Sequence, residues 1–230
     1  AKRIGDALSP EYKDAYYQLV LHPVSACANL NELYLSVAKN RLYAKQGRAA
    51  TNSLAEKAKE HFINDTVITD YYNRVLAMGK WSHMMDQTHI GYTYWQQPDS
   101  NAMPETKLIE VPSVAEMGVA IEGSDRWWPA EQSKAMLPEF SPFGKQARSI
   151  DVFNRGKASF MFSVKAEQPW IHITPLKGKI DTEQRLWVRV DWKNAPAGKH
   201  EIPIRIAGPN KSQTIIQAVI NNPAPSVRKQ

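Results

Sequence analysis

Apolar side chains recur at steps of three and four through the first hundred residues, and at steps of two from about Val119 onward. The first period belongs to helices with one buried face and the second to strands of a half-wet sheet. In "SPEYKDAYYQLVL", Ser9 is a plausible N-cap and Pro10 a good first helical residue, because proline's missing N–H is not needed there. Pro23 is expected to interrupt this helix. A second helix is expected through to Gln46, with Cys27, Leu30, Tyr34 and Val37 along its inner face and Gly47 as its stop. A third begins near Ala49, burying Leu54, Ala55, Ala58 and Phe62. Asn64 or Asp65 is then expected to cap a fourth, containing Ile68, Tyr71, Tyr72, Val75 and Leu76 and ended by Gly79.

The second half alternates. In "RLWVRVDW", Leu186, Val188, Val190 and Trp192 are apolar while Arg185, Arg189 and Asp191 intervene, with Trp187 as the exception. "FMFSV", "EIPIRIAG" and "TIIQAVI" repeat the pattern, and "NRG", "PLKG", "NAPAG" and "GPN" between them supply turn residues. Short strands at this spacing predict an antiparallel, immunoglobulin-like β-sandwich. Pro203 points to an edge strand, since proline cannot donate to a ladder. The fold class is therefore multidomain α + β: a helical bundle over 1–104, a proline-bearing linker over 105–118, a sandwich over 119–222 and a tail over 223–230.

Composition supports a folded chain, since 43% of its 230 residues are hydrophobic and seven are tryptophan. The net charge of +6 is spread among 23 acidic residues without a basic run, so a phosphate-tracking groove and a nucleic-acid partner are not expected. The single cysteine, Cys27, allows no disulfide framework and reads as a small buried thiol. No apolar run approaches the ~18 residues needed to span a bilayer, so no membrane partner is expected. The opening "AKRIGDALSP" has no signal core and no initiating Met, and reads like a segment of a longer polypeptide.

One stretch stands apart. "KWSHMMDQTHIGYTYWQQP", residues 80–98, crowds rings and amides around one glycine. His83, Asp86 and His89 are ligand-type side chains spaced three apart, yet they lack the two-histidines-four-apart pattern of a zincin, and no metal site or cofactor is assigned. No serine stands in a nucleophile elbow and no glycine loop could cradle phosphate, so no catalytic residue is assigned either. Tyr92, Tyr94 and Trp95 beside Gln96 and Gln97 suit a sugar, whose C–H faces stack on rings and whose hydroxyls bind amides. The same residues suit a plug sealing two domains together. A second aromatic pair, Trp127 and Trp128, sits at the start of the strand-rich half. One ring is expected in the sandwich core and the other over a neighbour, with Arg126 available to lie on an aromatic face.

The run "GKWSHMMDQTHIGYTYWQQPDSNAMP", followed by "IEGSDRWWP", "LPEF", "IDVFNRG", "PWIHITPLKGKI" and "VDWKNAPAGKHEIPI", resembles the C-terminal part of glycoside hydrolase family 115, in order and over nearly the whole chain. Members are xylan α-glucuronidases that remove glucuronic acid or its 4-O-methyl form from the xylose backbone. The resemblance implies an upstream α/β domain and a (β/α)8 barrel carrying the catalytic acids, with this chain as the bundle and sandwich that follow, inactive alone. It implies the upstream catalytic domains and glucuronoxylan as partners, a homodimer to which the helical half could contribute, and a periplasmic or extracellular setting. It also reconciles the two readings of the aromatic segment, as a plug that shapes the rim of the active site. Trp81, His83, Gln87, His89, Tyr92, Trp95, Trp127 and Trp128 are the resulting carbohydrate or domain-interface candidates.

Overall fold

A computed structural model describes residues 1–144 and 147–223; all but the first residue of the expected tail lies outside them. Helices fill the N-terminal part and the remainder forms a β-sandwich, giving a mixed α + β chain. Two compact units are present. One comprises Ala1–Arg41 and Thr51–Leu108, the other Leu42–Ala50 and everything from Ile109 on.

In the helical unit, α1 (Lys2–Ala7) and α2 (Pro10–Tyr16) lead into α3 (His22–Gln46). Pro23 does not end the helix. A π-helical stretch, Tyr17–Leu21, precedes it, and the His22 N–H reaches back five residues to the Tyr17 carbonyl. The widened turn accommodates a residue that has no N–H to donate and whose ring crowds the preceding turn. Helix α4 (Thr51–Asp70) likewise runs through the expected break at Asn64 and Asp65 and ends in a second π-helical stretch, Tyr71–Val75. Asp65 caps nothing; its residue is only 4% exposed.

The inner face of α3 is rotated from the expected stripe. Cys27 is exposed and Tyr34 is 42% exposed, while Asn29, Leu33, Ser36, Val37 and Asn40 are buried. Three of those five are polar, so an apolar stripe was the wrong guide. Asn29 donates to the His61 carbonyl at 2.8 Å and accepts from Asn64 at 2.9 Å. Asn40 donates to the carbonyls of Thr51 (2.8 Å) and Lys107 (2.9 Å) and accepts the Lys107 N–H (2.7 Å). Satisfied in this way, an amide can occupy a buried position that would otherwise be costly. Leu33, Val37, Ala58 and Ile90 form the small apolar core, with Leu30, Phe62 and Met103 packed on it.

The sandwich unit has strands β1 (Met117–Ile121), β2 (Ala135–Met136), β3 (Ala147–Asn154), β4 (Phe160–Ala166), β5 (Ile171–Thr174), β6 (Lys177–Ile180), β7 (Glu183–Val190), β8 (Gly198–Ala207) and β9 (Gln213–Asn222). One sheet runs β1-β3-β7-β5 and the other β2-β9-β8-β4-β6. Pairing is antiparallel except for the two-residue β2, which joins β9 in parallel. Alternation holds on β4, β7 and β8, whose inward residues Phe162, Val188 and Ile204 meet in one core drawn from both sheets. Burying such a side chain contributes about 1.5–3 kcal/mol.

Pro203 is not on an edge strand, for β8 lies between β9 and β4. It is tolerated because the β4 ladder stops at the Ala166 and Ile204 pair. The Pro203 carbonyl faces that side, accepting the Glu167 N–H at 3.3 Å, so the absent N–H falls just past the last ladder pair.

Residues 42–50 are built into this unit. Tyr43 donates its hydroxyl to Glu183 at 2.8 Å, and the Ala49 N–H bonds the Asn154 carbonyl at 2.8 Å. Gly47, at φ +63°, turns the chain after the last helical turn, a conformation that disfavours residues with a Cβ. Arg48 follows, donating to Glu183 at 2.7 Å and to Gln46 at 2.6 Å, with its guanidinium 4.1 Å from the Tyr43 ring centre and 4.2 Å from that of Phe153.

Candidate functional site

The aromatic segment leaves α4 through a sharply turned stretch. Ala77, Met78 and His83 all have φ between 50° and 66°, a left-handed conformation that residues with a Cβ seldom adopt, and Gly79 at +78° lies among them. Past this stretch the backbone forms no helix or strand before Met117, so its polar groups must be satisfied individually. Asparagines do much of this. Asn73 accepts the Met85 N–H at 2.9 Å and donates to Asp86 at 2.7 Å, while Asn101 accepts the N–H groups of His89 (2.8 Å) and Ile90 (2.9 Å). Ile90 is fully buried in the helical core, so the segment is anchored at its middle.

Beside that anchor the helical unit holds a cleft of about 410 Å³. One wall comes from α3 and α4, with His22, Ala26, Asp65, Ile68 and Thr69; the other comes from the segment, with Met84, Met85, Gln87, Thr88, His89 and Tyr92. Across it the His89 Nε2 lies 2.9 Å from both Asp65 carboxylate oxygens, and the His89 Nδ1 lies 2.9 Å from the Gln87 carbonyl. Burial alone would lower the His89 pKa. The Gln87 carbonyl and then the Asp65 carboxylate outweigh it, so the imidazole is held above its ordinary value. His22 is the reverse: burial lowers its pKa against the opposing pull of Asp65. Its Nδ1 is buried without a hydrogen-bond partner among the described residues.

The eight candidates fall into separate places. Gln87, His89 and Tyr92 converge on the cleft. Trp81 is half-buried with the Lys80 ammonium 4.9 Å from its ring centre, and exposed His83 pairs with Asp86 at 2.5 Å. Trp95 is 90% exposed; its neighbour Tyr94, 59% exposed, donates to Gln96 at 2.8 Å. His83 and His89 thus have different carboxylate partners. Among the described residues no group of three or more His, Cys, Asp or Glu side chains is placed to hold a metal ion.

Trp127 and Trp128 belong to the sandwich unit. Trp128 is buried in the core, bridges to Val119, and donates its indole N–H to the Ser133 carbonyl at 2.7 Å. Trp127 is half-buried against the edge of Phe153, with a guanidinium 4.1 Å from its ring centre. That guanidinium belongs to Arg155, whereas Arg126, the expected partner, pairs with Glu131 at 3.2 Å.

Sequence reasoning missed Asp65, offered with Asn64 as a helix cap, and did not single out His22, which stands just before the expected break at Pro23. A carboxylate three residues from the apolar Phe62 on one side and Ile68 on the other, and so on their helical face, was the available signal for the first. Nothing local marks the second.

No protein-family model matches the chain, and no curated protein does either. Solved structures show distant likeness: the periplasmic chaperone SfaE at 12% identity and TM-score 0.36, over 48% of this chain and 59% of that one. A Bacteroides ovatus GH5 xyloglucanase in complex with a XXXG heptasaccharide is similar at 15% identity and TM-score 0.32, over 47% of this chain and 20% of that one. The E. coli chaperone DraB is similar at 13% and 0.34, over 50% and 59%. This chain thus spans less than two thirds of those proteins. Likeness at this level carries no information about activity or ligand. Among the described residues no helix is long and apolar enough to cross a membrane.

Proposed function

We propose that this chain is the C-terminal accessory portion of a xylan α-glucuronidase resembling glycoside hydrolase family 115, and that its aromatic segment shapes the rim of an upstream catalytic barrel. The observation behind this is a firmly anchored loop with exposed rings. Ile90 is fully buried, while Tyr94 and Trp95, a few residues further on, are 59% and 90% exposed. Rings left in water on a pinned backbone suit a surface that meets another domain or a sugar, and the motif order of the chain favours that family's architecture. The catalytic acids, the glucuronoxylan substrate and the periplasmic or extracellular setting belong to the parent polypeptide in this reading.

The test is Trp95→Ala in a longer chain carrying the upstream domains. The rim reading expects kcat/KM on glucuronoxylan to fall about tenfold while the melting temperature stays put, since an exposed ring contributes little to folding. Unchanged kinetics would contradict it. A carbohydrate-binding module is the second reading, favoured by the same exposed rings. It expects the tryptophan fluorescence of the isolated chain to shift with xylan oligosaccharides through Trp95 itself.

A further inference from the structure

We infer that the cleft between α3, α4 and the aromatic segment is a binding site for an uncharged pyranose unit, such as a xylose residue of an oligosaccharide, and not for a uronic acid. This rests on the carbohydrate reading above and assigns its chemistry to a particular place.

Size comes first. A volume of about 410 Å³ lies within the roughly 300–1,000 Å³ typical of small-molecule sites. The walls then offer what a pyranose needs. Tyr92 and Met84 on one wall and Ile68 on the other give apolar surface for the C–H faces of a ring, while the Gln87 amide and the Thr69 and Thr88 hydroxyls can donate and accept.

Charge decides the class. Among the described residues no Lys or Arg lines the cleft, so a uronate carboxylate would find no guanidinium fork or ammonium there. It would meet the Asp65 carboxylate instead, whose partner His89 is already engaged at 2.9 Å. An uncharged sugar suffers no such repulsion.

The walls are also held in place. Two π-helical stretches pack against each other next to the cleft's α3 and α4 wall in sequence: the Tyr17 ring centre lies 4.7 Å from that of Tyr71, and His22 lies 4.6 Å from Tyr72. Such helical irregularities occur often at functional sites. His22, at the end of the first stretch, lines the cleft.

Calorimetric titration of the 230-residue chain with xylotriose, and separately with glucuronic acid, tests the assignment. The expected result is saturable xylotriose binding, weakened about tenfold in both Gln87→Ala and Tyr92→Ala, with no binding of glucuronic acid at the same concentrations. Should either variant fold poorly, Met84→Trp serves instead: the side chain is already 55% exposed, and the larger one narrows the mouth of the cleft. Absence of xylotriose binding, binding indifferent to these substitutions, or glucuronic acid binding as tightly would each overturn the assignment. The outcome is separable from the proposed parentage. An active longer parent with no sugar binding here removes the site alone, and binding here with an inactive parent removes the parentage alone.

Discussion

Arg48, 2% exposed, meets carboxylates and rings at once: Glu183 at 2.7 Å, Asp151 at 3.6 Å, and the faces of Tyr43 and Phe153. A buried cation held this way is costly to truncate, because its carboxylate partners lose their compensating charge. Arg48→Ala is therefore expected to cost about 3 kcal/mol in urea unfolding. Arg185→Ala, removing a 54%-exposed partner of the same Asp151, should cost less than about 1 kcal/mol; equal losses would contradict this ranking. His89 supplies a pH test. Its folded pKa is raised above the ordinary histidine value of about 6.5, so its stabilisation is fully present below that pH and is lost as pH rises through the folded value. The melting-temperature advantage of the protein over His89→Gln should be largest on the acid side and shrink above about pH 6.5. His22, lowered by burial, works oppositely: its protonation opposes folding in acid. A His89 advantage that grew with pH would show that its hydrogen bonds to the Gln87 carbonyl and to Asp65 do not govern its titration.

Elements differed in how openly the sequence declared them. Strands β4, β7, β8 and β9 carry strict alternation because one face is wet, and their inward residues were legible one by one. Strand β1 is buried at every position, so "MGVAI" shows no period of two and gave no such signal. The face of α4 was read correctly at Ala55, Ala58 and Phe62, but that of α3 was not, since its buried stripe is built on Asn29, Ser36 and Asn40 as well as Leu33 and Val37. Hydrogen-bond partners on α4 and at Lys107 make those polar positions tenable, and such partners are distant in sequence. The cleft was legible in part: the aromatic segment announced Gln87, His89 and Tyr92, but the α3 and α4 wall depended on a π-helical turn that reads locally as a proline break. The loop after β3 makes its own prediction. A Cβ on Gly156 would lie 1.8 Å from the Val114 carbonyl oxygen, a rigid backbone atom. Gly156→Ala is expected to destabilise by about 3 kcal/mol or more, read as a lowered urea midpoint; a neutral result would mean that the 112–114 segment yields easily.

At the scale of the whole molecule, the sandwich unit is discontinuous in sequence. It takes Leu42–Ala50 from the first half of the chain, joined by Tyr43 to Glu183, Gln46 to the Asp125 carbonyl at 3.0 Å, and Ala49 to Asn154. A polypeptide of residues 109–223 is thus expected to unfold at a lower urea concentration than the sandwich within the full chain, by about as much as Arg48→Ala costs or more. Equal midpoints would show that residues 42–50 are dispensable. The central proposal concerns a larger protein: that this chain serves a xylan α-glucuronidase whose catalytic acids lie in an upstream barrel. The most direct measurement is release of glucuronic acid from glucuronoxylan, made side by side with this chain and with a parent carrying the upstream domains. The account predicts activity in the longer protein and none in this chain. Activity in the 230 residues alone, or none in the parent, would contradict it.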